Sequence, residues 1–253
     1  MKLSVFRFTV LICLLTMAGS GFAKDKQNAK QKEEPSAKTV DSGSFGIFQN
    51  EKRVATETFS IVQNSRGSVA TSDFKTESTA GDAAQSSKLE LAPNGEILRY
   101  EWKETSPGSA EAWVAPSNDF LTEHYKDSSD AKEQEKPFLL PASTSILDDY
   151  FLIQREILVW KYLATSCKTQ KGILQCPLKQ EVKFGALNAH SRISIPVSLT
   201  FLGPDEVPIH GTPQKLSKID LKSDSGDWSL WVNEQFKLIR IEDAETGTEI
   251  VRD

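Results

Sequence analysis

The sequence predicts a mainly β protein of the α+β kind, a curved antiparallel sheet or half-barrel of about ten to thirteen strands wrapped on one long helix near residues 145–165. Three observations predict it. Short runs alternate apolar with polar residues, as half-buried strands do because successive side chains leave opposite faces. Clusters of Gly, Pro, Asn and Asp separate those runs. A single stretch, Ser145 to Thr165, lacks Gly and Pro and repeats its apolar residues at helical spacing.

The chain has 253 residues, 38% hydrophobic and 26% charged, which excludes a disordered, collagen-like or multi-pass membrane protein. Its first stretch reads as a leader. Lys2 and Arg7 form a basic start, Val10 to Leu15 is apolar, and Gly21-Phe22-Ala23 suits cleavage after Ala23. The expected organisation is a signal peptide over 1–23, a flexible linker over 24–42 and one antiparallel domain over 43–253. The linker carries too little apolar bulk to offset its ordering entropy. A pair of lobes joined near Glu133 to Pro141 is the second arrangement. The formal net charge is −5 and becomes more negative once Lys2 and Arg7 leave, so nucleic acid is not expected as a partner.

In chain order, Phe59 and Ile61 alternate with Thr58 and Ser60, and Leu89 and Leu91 with Lys88 and Glu90. Pro93-Asn94-Gly95 turns the chain into Leu98, Tyr100 and Trp102, which share one face. The helical stretch follows, with Ile146, Tyr150, Ile153, Ile157, Trp160 and Leu163 on one stripe. Ser145 is expected as its N-cap, with Asp148 and Asp149 at the positive end of the dipole. Phe151, Leu158 and Tyr162 widen the stripe, so the helix wants cover on more than one side. Strands resume at Ile193 to Phe201, where Pro196 calls for an edge or a bulge. Trp228 to Val232 and Phe236 to Ile241 then form a pair, and a last strand follows Gly247.

Cys13 falls inside the leader, which leaves Cys167 and Cys176 as an even pair in an exported chain, so a disulfide closing a short loop is expected. Their spacing is not that of a redox CxxC or a zinc site. His124, His190 and His210 stand alone in sequence, and no GxSxG elbow, phosphate-cradling glycine loop or EF-type spacing is present. No catalysis, cofactor or metal is therefore expected. What stands out is aromatic. Trp228 and Trp231, three apart on one strand, face opposite sides of the sheet. Tyr100, Trp102, Phe151, Trp160, Trp228 and Trp231 are the candidate lining of an apolar cavity between sheet and helix.

The C-terminal third carries a pattern beyond composition. Val207-Pro208-Ile209-His210-Gly211, Leu230-Trp231-Val232-Asn233, Leu238-Ile239-Arg240-Ile241 and Glu249-Ile250-Val251-Arg252 resemble an exported bacterial family of unknown function, as do Gly46-Ile47-Phe48 and Glu57-Thr58-Phe59. In fold that family looks like the LolA/LolB lipoprotein carriers. The resemblance implies a periplasmic β-protein that contacts lipid or lipoprotein. The leader by itself calls for a periplasmic or secreted setting, and the apolar runs left after its cleavage are too short to span a bilayer, so no stable membrane insertion is expected. The sequence departs from it at Asn233, where Asp is commoner, and in having one strong helix. The expected function is non-enzymatic binding of a hydrophobic ligand (acyl chain, lipid or lipoprotein). The alternative is a cell-envelope structural or interaction module with no small ligand.

Overall fold

A computed structural model of the chain describes residues 36–77, 82–170, 173–224, 226–243 and 245–253. The expected signal peptide and most of the expected linker lie outside these residues. The first eight strands are β1 (Lys38–Gln49), β2 (Lys52–Asn64), β3 (Gly67–Thr76), β4 (Ala84–Leu91), β5 (Ile97–Ser106), β6 (Glu111–Ser117), β7 (Phe120–Lys126) and β8 (Gln134–Phe138). A two-residue β9 (Ser145–Ile146) precedes the helix α1 (Ile153–Ser166). The remainder comprises β10 (Lys168–Gln170), β11 (Ile173–Gln175), β12 (Glu181–Asn188), β13 (Ile193–Ile209), β14 (Thr212–Ser223), β15 (Gly226–Val232), β16 (Leu238–Asp243) and β17 (Thr248–Arg252). Lys38 to Ser42, read from sequence as linker, are therefore strand.

Fifteen strands form one open sheet in the order β8-β7-β6-β5-β4-β3-β2-β1-β17-β16-β15-β14-β13-β12-β9. From β1 the chain meanders outward through β8, and it returns from the opposite end so that β17 closes on the other side of β1. Phe45 pairs Glu57 on one side and Arg252 on the other. Neighbours are antiparallel except β9, which lies parallel to β12. Two tight hairpins follow from turn chemistry. Asn50 and Glu51 have φ of 50° and 62° between Gln49 and Lys52, and His210 and Gly211 have 49° and 77° between Ile209 and Thr212. Positive φ at both central residues matches the twist of the flanking strands.

One face of the sheet carries the main core. Phe45, Phe59, Ile61, Leu89, Tyr100 and Leu121 contribute from one half, and Leu199, Ile219, Leu230, Ile241 and Ile250 from the other. Ile153, Leu158, Val159, Tyr162 and Leu163 of α1 join the same cluster. Trp231 instead joins Val207, Ile209, Leu216 and Val251 in a smaller cluster, while Trp228 packs against the main one. The two tryptophans thus divide as strand alternation requires.

The fold-class expectation is corrected in two respects. The structure is a single open 15-stranded sheet, more strands than expected and not a half-barrel wrapped on a long helix, and α1 is short, 14 residues. Residues 145–152 do not continue it. Ser145 and Ile146 pair with Ala186 and Leu187, and Leu147 N–H donates to the Leu187 carbonyl. Asp148 turns inward and caps nothing at Ser145. The first helical amides are instead met by a side chain from across the sheet, since Glu57 of β2 accepts from Leu152 N (2.8 Å) and Ile153 N (3.3 Å). Helix ends need partners for their free amides, and a tertiary acceptor replaces the local cap. Pro196, meanwhile, sits in an interior strand whose irregularity falls between Phe201 and Gly203.

Side chains link the two ends of the open sheet without strand pairing. Lys136 Nζ donates to the Arg192 carbonyl (2.7 Å), and Arg192 pairs with Asp127 (2.5 Å) and lies over the Tyr125 ring.

Cys167 and Cys176 are disulfide-bonded and close the β10–β11 ribbon after α1. Replacing both by serine is expected to cost about 2–3 kcal/mol, because a short closed loop restricts the unfolded chain. Urea melts of the pair variant and wild type check this, and coincident midpoints would refute it.

Candidate functional site

Helix α1 turns Gln154, Ile157, Leu158, Lys161, Ala164 and Thr165 to one side, at i, i+3, i+4, i+7, i+10 and i+11, and this face borders a cleft. The cleft holds about 510 Å³. Its apolar walls are Leu89, Leu91 and Ile97 from β4 and β5, Ile146 from β9, and Ile157, Leu158 and Trp160 from α1. A side compartment of about 150 Å³, bounded by Val40, Ile61 and Ala70, shares Leu91, Ile157 and Trp160 with it. Gln63, Ser68, Asn94, Glu96, Ser143 and Lys161 supply polar groups at the border. The Trp160 indole is held by its N–H, which donates to the Phe236 carbonyl (2.7 Å). Lys161 Nζ donates to the Ser143 carbonyl and to Ser145 Oγ, and burial holds its pKa below the ordinary lysine value.

Beneath the N-terminal end of α1 lies a buried polar centre. Asp148 Oδ2 accepts from the Tyr100 hydroxyl (2.9 Å) and stands 2.5 Å from His190 Nδ1. Asp148 Oδ1 accepts from Tyr150 N (3.1 Å), and the Asp148 amide donates to Gln154 Oε1 (2.6 Å). Burial, with the Asp148 charge beside it, pushes the Tyr100 hydroxyl well above its ordinary pKa. His190 Nε2 is 2.6 Å from Gln85 Oε1, and its ring stacks on Trp102 (3.7 Å) and tilts against Tyr150 (4.8 Å). An Asp–His pair is one part of a hydrolytic triad, but the place a nucleophile takes, at Nε2, is held here by Gln85. What this arrangement does chemically is fix a ring.

Three further carboxyls, those of Glu57, Glu123 and Glu156, are buried. Burial pushes Glu57 up to about 7, against the opposing pull of Ser72, the two helix amides and Arg155. Glu123, whose two oxygens have no hydrogen-bond partner among the described residues, is raised by burial to about 8. Glu156 is raised to about 9 by burial and by Asp41. Glu156 Oε2 accepts from Leu238 N (2.6 Å), and Asp41 Oδ1 from Lys237 and Arg252 (2.7 Å each). The other oxygen of each, Asp41 Oδ2 and Glu156 Oε1, is buried and has no hydrogen-bond donor among the described residues. Burial works against the Asp41 charge, but Arg252, Glu156 and Lys237 hold its pKa below the usual value.

No protein-family model matches the chain, and no curated protein does. Among solved structures it is similar to a DUF1089 family protein from Pseudomonas aeruginosa, at 12% identity and a TM-score of 0.46, over 76% of this chain and 91% of that one. The likeness to lipoprotein carriers expected from the sequence is not among these findings.

The six residues singled out from the sequence fall in different places. Trp160 borders the cleft and its side compartment. Tyr100, Trp102 and Phe151 surround the Asp148–His190 pair, with Phe151 6.1 Å from the imidazole. Trp228 lies under the Arg155 guanidinium (4.9 Å), and Trp231 donates its indole N–H to Asp205 (2.9 Å) in the smaller cluster. Among the described residues no group of three or more His, Cys, Asp or Glu could hold a metal, and no helix is long and apolar enough to cross a membrane.

Sequence reasoning missed Asp148, His190, Gln85 and Glu57. One signal was available, because Glu57 falls in phase with Phe59 and Ile61 and so occupies the apolar face of its strand. Glu123 stands likewise between Leu121 and Tyr125. An acid in the apolar phase of a strand marks a buried carboxyl that requires a partner.

Proposed function

We propose that this protein binds an acyl chain or a similarly elongated apolar ligand in the cleft between α1 and strands β2–β5, without catalysing a reaction on it. The observation that carries this reading is the cleft itself, about 510 Å³ with largely aliphatic walls and an adjoining apolar compartment. Its volume falls within the ~300–1,000 Å³ usual for small-molecule sites. Each buried methylene contributes about 0.8 kcal/mol, so a chain is held with few polar contacts and leaves no catalytic motif in the sequence. The disulfide, together with the leader expected over 1–23, supports a periplasmic or secreted setting, where such bonds persist. A lipid or lipoprotein is then the source of the chain. The alternative of a module that recruits partners through its β8 edge is less well supported. That edge presents Gln134, Glu135, Lys136 and Pro137 to solvent, the charges and proline that discourage strand addition.

Ile157→Trp tests the reading by filling the cleft. Displacement of a fluorescent fatty-acid probe is expected to weaken at least about tenfold, in line with the loss of two or more buried methylenes. Mass spectrometry of organic extracts from wild type is expected to find lipid in about one-to-one ratio. A wild type that binds no acyl probe and yields a clean extract rejects the proposal.

A further inference from the structure

The acyl-binding reading leaves one group on the cleft wall unexplained. Lys161 is the one cation among the residues that border the cleft, and its ammonium is half-buried. Among the described residues no carboxylate pairs with it. Its contacts are the Ser143 carbonyl, Ser145 Oγ (3.1 Å) and, at 5.6 Å, the face of the Phe184 ring. Charges withdrawn from water are ordinarily paired, because desolvation costs several kcal/mol per ion unless an opposite charge offsets it. The ion pairs among the described residues include Lys88, Lys103, Lys126, Lys183, Lys222 and Lys237, and Lys161 is in none of them. Two of its three N–H groups are used by the Ser143 and Ser145 oxygens, which aim the ammonium and leave one donor. Lys161 follows Ile157 and Leu158 by one helical turn, so a group bound at Nζ is continuous with a chain lying on those residues. The one acid on the same border, Glu96, is exposed in the β4–β5 turn.

We infer that the ligand of this cleft is an anionic amphiphile whose carboxylate or phosphate head is received by Lys161 Nζ while its chain occupies the apolar walls. This rests on the acyl-binding reading and goes beyond it by naming the head. Receipt of the anion supplies the opposite charge that the fold withholds from Lys161, and it raises the lysine pKa that burial lowers. The competing role for Lys161 is to cap the Ser143 carbonyl, which would leave its charge irrelevant to ligand choice.

The test uses the delipidated full chain and four probes of equal chain length: hexadecanoate, hexadecyl phosphate, hexadecanol and hexadecylamine. Wild type is expected to bind at least one anion about tenfold more tightly than hexadecanol, the size of one charge-assisted hydrogen bond, with the amine weakest. Lys161→Met is expected to bring the anion-to-hexadecanol affinity ratio close to one, and Lys161→Arg to keep most of the preference. The anion bound more tightly names the source, a free fatty acid or a phosphate-bearing lipid. Equal affinity of wild type for anions and alcohol overturns the head assignment and leaves the cleft reading standing. So does an anion preference unchanged in Lys161→Met. Failure of all four probes removes the cleft reading along with it. Because each comparison is a ratio within one variant, a general loss of stability does not imitate the result.

Discussion

Replacing Asp148 by alanine is expected to lower the unfolding free energy by about 3–5 kcal/mol, the cost of removing one member of a buried, hydrogen-bonded charged set. The carboxylate is buried and serves three groups at once: the Tyr100 hydroxyl, the Tyr150 amide and His190 Nδ1. Without it, a buried phenol and a largely buried imidazole lose their acceptor, and each unsatisfied group costs about 1–3 kcal/mol. Asp148→Asn is expected to lose roughly half as much, since the amide oxygen still accepts from one of the three. Urea denaturation followed by near- and far-UV circular dichroism measures both. An alanine variant within about 1 kcal/mol of wild type would mean that the centre does not hold the 147–152 turn against the sheet.

Stability is expected to fall as pH rises from about 4.5 to about 9. The sign follows from Glu57, Glu123 and Glu156, whose carboxyls are raised in the fold to about 7, about 8 and about 9 from an ordinary 4.5, chiefly by burial. A raised acid binds more protons folded than unfolded. Its contribution is complete below the unfolded pKa and is lost as pH climbs through the folded one. Asp41 acts in the opposite sense, because its lowered pKa contributes above the ordinary 3.8 and is lost in acid. The optimum therefore lies near pH 4–5. Glu57 alone accounts for about 3 kcal/mol of the decline, at 1.36 kcal/mol per pKa unit. Its contact with Ser72 Oγ, at 2.5 Å, serves either protonation state, since the hydroxyl donates to the carboxylate and accepts from the acid. Denaturant midpoints at pH 4.5, 7 and 9.5 read the trend, and Glu57→Gln is expected to flatten its lower half. A midpoint that rises between pH 5 and 9 contradicts the assignment.

The strands were legible because alternation is local. Leu89 and Leu91, or Tyr100 and Trp102, declare their shared face whatever they pack against. The helix was legible only in part. Ile153 to Leu163 has the right period, but so does its extension back to Ile146, and no local rule says that Ser145 and Ile146 will find Ala186 and Leu187 beside them. Parallel pairing across that sequence distance outweighed a serviceable N-cap. The buried centre was the least legible of all. Gln85 and Tyr100 come from two strands, Asp148 from the turn before α1 and His190 from the β12–β13 turn, and none lies within helical or strand spacing of its partners.

The amino-acid sequence by itself determined that this is a β-rich chain with one disulfide and one helix, and which faces of its strands are apolar. Those properties depend on residues a few positions apart and on the physics of one pleat or one turn. Only the tertiary structure decided that fifteen strands share a single open sheet, that Glu57 caps a helix nearly a hundred residues away (95 residues from Leu152), and that Lys161 stands at the border of an apolar cleft with no carboxylate partner among the described residues. Desolvation is the reason. Whether a carboxyl or an ammonium is satisfied depends on what the whole chain packs around it, and no local pattern carries that information.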